Sequence, residues 1–240
     1  MFDRERHRRI ASVLEALDAP LLARHACLFG GGTAIAMRYG EYRESIDIDF
    51  MVSDKDGYRE MRRRMRQPEG IMALAGERGG LKQVREVRAD QYGIRTLLEV
   101  GDAAIKFEIV FEARIALESP ESEDHICGVA TLTPLDMVAS KLLANSDRWA
   151  DDSVFSRDLI DLAMMRPSRS LFTRAKAKAR SAYGDSIDSD LDKAIERLLG
   201  RKGCLERCME AMRVSVPKAL LWQRIVALRG DRRPAMPVPD

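Results

Sequence analysis

The spacing of hydrophobic residues along the chain changes near residue 130. Before that point, short runs in which apolar and polar residues alternate predict β-strands at residues 27–29, 45–52, 83–88, 94–100 and 103–111. Helical spacing in the same part of the chain predicts helices at residues 3–17, 33–38 and 55–66. From Pro134 to residue 228 the spacing is helical throughout, with short breaks at prolines and glycines.

This change of pattern predicts an α+β fold in two parts, in which a mixed sheet with its helices is followed by a helical bundle. The predicted regions are an αβ core at residues 1–130, a helical region at residues 131–231 and a tail at residues 232–240. The tail contains three of the nine prolines, and we expect it to be disordered.

Composition and charge exclude several classes of protein. With 240 residues, 45% hydrophobic content and a net charge of +2, the chain is long enough to bury a core and is not a uniformly basic nucleic-acid coat. Its four cysteines lack the spacing of a zinc site or a disulfide framework, which favours a reducing compartment. No apolar run reaches membrane-spanning length and no secretory leader is visible, so we expect a cytoplasmic protein without a membrane partner.

The segment between residues 29 and 50 carries the strongest chemical signal. Three glycines followed by Thr33 open a predicted helix, and glycines at a helix start let backbone N–H groups approach a phosphate. The next predicted strand carries Asp47 and Asp49, whose side chains share a face because strand side chains alternate. A nucleotide polyphosphate with its Mg²⁺ needs a phosphate cradle and carboxylates side by side. Alone, the aspartate pair is also typical of an amphipathic strand with a solvated face.

The other candidate residues also have ordinary structural explanations. Glu108 shares a predicted strand face with Lys106, and it joins the aspartate pair only if the two strands are neighbours with the same face up. Lys141 lies among apolar residues of a predicted helix, where a lysine usually extends its charge to solvent. Asp158 and Asp161 share a helix face near a helix start, where solvated acidic residues are common.

Taken in order, these motifs resemble the AbiEii/AbiGii-type nucleotidyltransferases of the polymerase-β-like superfamily, which supply the toxin of type IV toxin–antitoxin and abortive-infection systems. The resemblance runs from residue 29 to residue 162 through Gly-Gly-Thr, Arg-x-Ser-x-Asp-x-Asp-Phe, Lys-x-Glu, Thr-Pro-Leu…Ser-Lys-Leu and Arg-Asp-Leu-Ile-Asp-Leu. It implies a polymerase-β-like nucleotidyltransferase core joined to carboxyl-terminal helices. Beyond residue 162 the chain is similar to the family only in being helical.

The resemblance also implies a role for each matched residue. Asp47, Asp49 and Glu108 would hold Mg²⁺, with two ions expected, and Lys141 and Asp158 would complete the catalytic set. The residues implied in nucleotide binding are Gly31, Gly32, Thr33, Arg43, Ser45, Lys141 and Arg148. The third metal position is a glutamate where aspartate is common in the family, so a longer side chain must reach the metal.

The implied reaction moves a nucleoside monophosphate from an NTP to an acceptor hydroxyl and releases pyrophosphate. The resemblance favours RNA, particularly tRNA, as the acceptor, and a cognate antitoxin as a partner. Five arginines between residues 59 and 66 could contact an RNA backbone, although such a cluster is also typical of a solvated helix. The alternatives are a small-molecule (aminoglycoside-type) or protein nucleotidyltransferase, and a non-catalytic nucleotide-binding regulatory module.

Overall fold

A computed structural model describes residues 1–229 of the chain, and these residues form two compact units. Unit 1 comprises Met1–Glu41 and Ser45–Thr133. Unit 2 comprises Tyr42–Glu44 and the described residues from Pro134 onward. The segment Tyr42–Glu44 therefore belongs to unit 2, although the chain on both sides of it belongs to unit 1. The predicted tail at residues 232–240 lies outside the described residues.

Unit 1 combines four α-helices with seven short strands in its described residues. The helices are α1 (Glu5–Ala16), α2 (Ala19–Arg24), α3 (Gly31–Arg38) and α4 (Lys55–Met65). The strands are β1 (Leu28–Gly30), β2 (Ile48–Val52), β3 (Gln83–Ala89), β4 (Gly93–Val100), β5 (Ala103–Phe111), β6 (His125–Ile126) and β7 (Val129–Ala130). A single 3₁₀ turn covers Gly70–Leu74, and β6 pairs with β7 as a separate hairpin.

Five strands form a mixed sheet in the order β1-β2-β5-β4-β3. Only β2 and β5 run parallel, and the other neighbours are antiparallel. Phe29, Phe50 and Phe107 are fully buried, with ring centroids 5.6 and 5.5 Å apart along β1, β2 and β5. Side chains alternate along a strand, so residues next to these phenylalanines face the opposite side of the sheet. Asp49 and Glu108 are two such neighbours.

The strand that carries the aspartates begins later than the sequence pattern predicts. The alternation starts at Ser45, but β2 begins at Ile48, and Ile46 is 47% exposed instead of packing with the core. The reason lies in the backbone partners, because the Ser45 N–H donates to the His7 ring at 3.3 Å and not to a neighbouring strand. The prediction was therefore wrong for residues 45–47 and correct from Ile48 onward.

Unit 2 is helical. Its helices are α5 (Pro134–Arg148), α6 (Arg157–Met165), α7 (Arg169–Tyr183), α8 (Ser186–Gly200), α9 (Cys204–Ala211) and α10 (Lys218–Ala227), with a 3₁₀ turn at Asp152–Val154. Proline stands at the first position of α5, where its missing N–H removes no helical hydrogen bond. Both α5 and α6 are buried on nearly every side, so unit 2 is built around them.

The predicted fold class is confirmed, because in the described residues a mixed αβ sheet is followed along the chain by helices only. Across residues 1–229, each helix is too short or too polar to span a lipid bilayer.

Candidate active site

Unit 1 places a glycine turn directly against an aspartate. β1 ends at Gly30, which lies opposite Asp49 in the register of β1 and β2. α3 begins at Gly31, whose φ of +67° favours glycine. A Cβ added to Gly31 would lie 2.6 Å from Oδ2 and 2.9 Å from Cβ of Asp49. Glycine is therefore required for the helix start and the carboxylate to approach this closely.

The amino-terminal end of α3 has backbone N–H groups without a side-chain cap. Gly30 caps the helix without a side-chain hydrogen bond, and the first turn contains no acidic residue. The first N–H groups of any helix lack intrahelical partners and carry a partial positive charge. The start of α3 is therefore suited to an anion such as a phosphate, and the Asp49 carboxylate lies next to it.

A second carboxylate lies beside Asp49 on the same sheet face. The parallel register of β2 and β5 pairs Asp49 with Glu108, which meets the condition that the sequence had left open. Arg95 on β4 pairs with Glu108 in the register and donates its Nε–H to Glu108 Oε1 at 2.6 Å. Lys106 donates to the other oxygen, Oε2. Both oxygens of Glu108 are thus engaged by cations, and the face combines the two carboxylates of Asp49 and Glu108 with two positive charges.

The charges of this face are coupled. Burial works against the charged form of Lys106, but its hydrogen bond to Glu108 and the charges of Glu108, Asp49 and Asp47 raise its pKa. Asp47 thus contributes to the same electrostatic cluster, although it precedes the first residue of β2.

The donor chemistry of this face fits Mg²⁺. One or two carboxylates together with substrate phosphates are the usual ligands of this ion. Asp47 and Asp49 supply two half-buried carboxylates, of which Asp49 lies against the α3 turn. Glu108 would have to exchange a cation for a metal ion. Among residues 1–229, no three His, Cys, Asp or Glu side chains are already arranged to hold a metal by themselves.

A buried histidine fixes the loop that leads to Asp47. His7 is fully buried, and its Nδ1 lies 2.7 Å from Glu41 Oε1. A carboxylate accepts only, so Nδ1 carries the proton and Nε2 accepts the Ser45 N–H. The Ser45 hydroxyl in turn accepts from Thr33 Oγ1 at 2.8 Å. This chain of hydrogen bonds joins α1, α3 and the loop before β2.

Unit 2 contains a buried network of ionised side chains. Asp161 is fully buried, and Arg43 donates to its two oxygens at 2.7 and 2.9 Å. Lys141 Nζ lies between two carboxylates, 2.7 Å from Asp161 Oδ2 and 2.9 Å from Asp158 Oδ1. Arg148 donates to both oxygens of Asp158 at 2.6 and 3.0 Å. Three cations share two carboxylates, so the network carries one surplus positive charge.

The pKa values in this network favour the ionised state. Burial opposes the charge on Asp161, but Arg43 and Lys141 overcome it and hold the pKa of this carboxyl below its usual range. Burial likewise opposes the charge on Asp158, and Lys141 and Arg148 hold its pKa well below the usual range. Both carboxyl groups are therefore ionised at neutral pH.

The sequence as a whole also matches a protein family. The family model that describes the nucleotidyl transferase AbiEii toxin of a type IV toxin–antitoxin system matches residues 12–222. The chain belongs to the AbiEii family. This membership confirms the resemblance noted from the motifs and makes the chain a nucleotidyltransferase of a toxin family. The classification as a type IV toxin also implies an antitoxin as the second component of the system.

Two solved structures match this AbiEii-family chain in a comparison of structures. One is a candidate nucleotidyltransferase from H. pylori, with 17% identity, a TM-score of 0.48 and 93% coverage of each chain. The other is JHP933 from Helicobacter pylori, with 17% identity, a TM-score of 0.49 and coverage of 95% of this chain and 94% of that one. No functionally curated protein matches the sequence.

The residues predicted for the AbiEii site fall into two groups. Unit 1 holds Gly31, Gly32, Thr33, Ser45, Asp47, Asp49 and Glu108, and unit 2 holds Arg43, Lys141, Arg148 and Asp158. In unit 2 the four side chains join one network through Asp161 and Asp158. In unit 1 the structure places Asp49 against Gly31 and pairs it with Glu108, and it joins Thr33 to Ser45. The catalytic and binding roles of all these residues stay predictions. Thr33 is buried and its hydroxyl contacts Ser45, so any contact of Thr33 with phosphate would come from its backbone N–H.

Sequence reasoning gave no role to several residues that hold these groups in place: His7, Glu41, Tyr42, Arg95 and Lys106. It named Asp161 only as a neighbour of Asp158 on one helix face. Asp161 had a visible signal, because α6 carries apolar residues on every side and such a helix is buried. The buried His7 had none, since its partner Glu41 is 34 residues away in the chain.

We expect Gly31→Ala to reduce nucleotidyl transfer by about 100-fold, because a displaced carboxylate changes the geometry that transfer requires. The new methyl group would have to push Asp49 aside, since its position is 2.6 Å from Oδ2. The measurement is transfer of label from an α-³²P NTP, with circular dichroism to verify folding.

Gly40→Ala is the matched control for this variant. Gly40 also has a positive φ, of +85°, but a Cβ there would meet nothing within 4 Å. The left-handed backbone costs each variant roughly 1 kcal/mol of stability, and only Gly31→Ala, which must also displace Asp49, should lose transfer. Equal transfer by the two variants would contradict the assignment of the Gly31–Asp49 contact to the active site.

Proposed function

We propose that this AbiEii-family chain transfers a nucleoside monophosphate from an NTP to a hydroxyl group of RNA, with Mg²⁺ held by Asp47 and Asp49. The observation that carries the proposal is the contact between the Gly31 backbone and the Asp49 carboxylate at the start of α3. A helix start that can hold phosphate and a carboxylate that can hold a metal serve the same ligand, a metal-bound triphosphate.

In the proposed reaction, the acceptor hydroxyl oxygen forms a bond to the α-phosphorus of the NTP. The bond from that phosphorus to the bridging oxygen of the β-phosphate breaks, pyrophosphate leaves, and the hydroxyl proton is released. When bound, Mg²⁺ would offset the negative charge on the phosphate oxygens. The first turn of α3 would hold the triphosphate, and His7 would keep the Ser45–Asp47 loop in position through the Ser45 N–H.

Within unit 2, we propose that Asp158 and Asp161 orient Lys141 and fix Arg43. Lys141 is held by both carboxylates, so its ammonium has one defined position. Arg148 has the most exposed side chain of the three network cations, at 34%. Together with the surplus positive charge of the network, this exposure suits Arg148 to a phosphate group of the substrate.

RNA is the proposed acceptor because the resemblance of the motifs to AbiEii/AbiGii-type nucleotidyltransferases favours it, and the composition of this toxin-family chain agrees with a phosphate-rich ligand. Of its 40 lysines and arginines, nine are lysine. Arginine presents a planar fork of donors that matches phosphate geometry, whereas lysine presents a point charge. Transfer to a small molecule or to a protein would keep the same chemistry, and both are outcomes of the test.

The test is a label-transfer assay with purified protein, Mg²⁺ and each α-³²P-labelled NTP in turn. The acceptors offered are total RNA, a protein extract and an aminoglycoside mixture, and the Asp47→Ala/Asp49→Ala protein runs in parallel. We expect label on RNA from the wild-type chain and none from the double variant. Label only on a small molecule or on protein would overturn the acceptor. Equal labelling by the folded double variant would overturn the metal assignment.

A further inference from the structure

Unit 2 has an open groove of about 760 Å³ on its surface, lined by α6, α7, α8 and α10 and their connections. Six of its lining residues are basic: Arg166, Arg169, Lys176, Arg180, Arg224 and Arg229. Only Asp188 and Asp192 are acidic, which leaves four surplus positive charges in one concave surface. A cleft lined by charges of one sign concentrates their field more than a convex surface does. The groove therefore attracts an anionic ligand.

The positive charges are unevenly neutralised. Both acidic residues lie on α8, and Asp188 forms ion pairs with Lys176 at 3.1 Å and with Arg180. Arg224 donates at 3.0 Å to the Met164 sulfur, which is a weak acceptor. Within the described residues Arg224 thus has no carboxylate partner, and the planar donors of such an arginine fit phosphate oxygens.

Two of these arginines occupy positions that local structure disfavours. Arg166 ends α6 with φ of +47° and ψ of +53°, a left-handed conformation that usually belongs to glycine. Its guanidinium makes no hydrogen bond or ion pair with any other residue within the described part of the chain. Arg169 begins α7, where the helix dipole repels a positive charge and acidic residues are preferred. Residues held against local preference are common where they serve a ligand.

The basic helix α4 differs in both respects. Its last turn contains Arg62, Arg63 and Arg64, at the end of the helix where the dipole favours positive charge. Arg63 and Arg64 both pair with Glu60 at 2.7 Å, as expected for neighbours on a helix surface. Helix stability alone explains this cluster, so it gives no reason to infer a ligand.

We propose that the groove lined by α6, α7, α8 and α10 binds the sugar–phosphate backbone of the RNA acceptor. This inference rests on the proposed function, and it identifies a surface outside the predicted catalytic residues. Backbone contacts are independent of sequence and depend on salt, because each neutralised phosphate releases counterions. The groove would thus hold the acceptor strand, while the choice of the modified nucleotide is made elsewhere.

The test measures binding of fluorescently labelled total tRNA to the full chain without NTP, over a series of KCl concentrations. The groove variant is Arg166→Gly/Arg169→Gln. The control is Arg59→Gln/Arg63→Gln on α4, which also removes two positive charges, but from exposed side chains outside the groove. We expect the groove variant to raise the Kd by roughly tenfold and to reduce the salt slope by about one to two. The control should stay within about twofold of the wild-type Kd.

Several outcomes would overturn the proposal. One is a groove variant that binds tRNA with the wild-type Kd. Another is an α4 control whose affinity falls as much as that of the groove variant, because binding would then depend only on net charge. Displacement of tRNA by polyglutamate at the same charge concentration would indicate a site for an acidic protein instead. The single variant Arg166→Gly separates loss of binding from loss of folding. Glycine adopts this backbone conformation readily, so the thermal midpoint of the variant should not fall, whereas its affinity for tRNA should.

Failure of the groove and failure of the proposed function give different results. If wild-type protein labels RNA and the groove variant does so with an unchanged KM for RNA, the groove proposal fails while the function stands. If wild-type protein labels only a small molecule, the function fails whatever the groove variant does.

Discussion

Asp49→Asn should lower the rate of nucleotidyl transfer by roughly 1,000-fold, equivalent to about 4 kcal/mol of lost transition-state stabilisation. Asparagine has the same shape as aspartate, so the β2 register and the approach of Gly31 are retained. What is lost is the negative charge that would hold Mg²⁺ beside the start of α3. Initial rates of label transfer, measured across a range of Mg²⁺ concentrations, test this expectation.

Glu86→Gln is the matched control. It removes one negative charge from an exposed position on β3, the far edge strand of the same sheet. If charge on the sheet in general were responsible, the two variants would lose activity together. A folded Asp49→Asn protein with wild-type transfer at all Mg²⁺ concentrations would show that Asp49 holds no catalytic metal.

The alternation of side chains along the sequence predicted that Asp49 faces away from the core. It did not predict which other residues share that face of the sheet. Ile48 and Phe50 had to be buried, so Asp49 had to point the other way. The pairing of Asp49 with Glu108 joins strands more than fifty residues apart in the chain, and no local pattern encodes it. The same holds for Arg95, which reaches Glu108 only because β4 and β5 are neighbours.

Local pattern failed where a distant partner took over a backbone group. The alternation that includes Ile46 continues the strand in sequence, yet Ser45 donates its N–H to His7 and Ile46 is exposed. A tertiary hydrogen bond thus overrode the strand propensity of three residues.

The two aspartates of α6 are buried, contrary to what their position in the sequence predicts. An acidic pair at a helix start is typical of a solvated surface, but Asp158 and Asp161 are 3% and 0% exposed. Their cations come from Lys141 on α5 and from Arg43, which joins unit 2 through the short Tyr42–Glu44 segment. The pattern of a single helix cannot reveal partners that lie on other elements.

Asp161→Ala should destabilise unit 2 by roughly 3–5 kcal/mol, because it leaves buried cations without their main partner. Arg43 loses a two-pronged hydrogen bond, the Tyr42 hydroxyl loses its acceptor at 2.5 Å, and Lys141 loses one of its two carboxylates. Thermal unfolding followed by circular dichroism should show a midpoint lower by roughly 10 °C.

Asp152→Ala is the control that isolates burial. Asp152 also faces three arginines, Arg197, Arg201 and Arg207, but its side chain is 50% exposed. An exposed ion pair contributes about 1 kcal/mol or less, so this variant should unfold within a few degrees of wild type. If the two variants lose the same stability, the buried network contributes no more than a surface one.

The pH dependence of stability separates the charge of Asp161 from its shape. Burial opposes its ionisation, but Arg43 and Lys141 hold its pKa in the folded protein below that of an unfolded aspartate, about 3.9. The stabilisation is therefore complete above about pH 5 and is lost as the pH falls through the unfolded and then the folded pKa. Wild-type protein should lose thermal stability between pH 5 and pH 3, and Asp161→Asn, which has no charge to lose at this position, should lose less over the same range. An equal loss in both proteins would show that other carboxylates dominate acid unfolding.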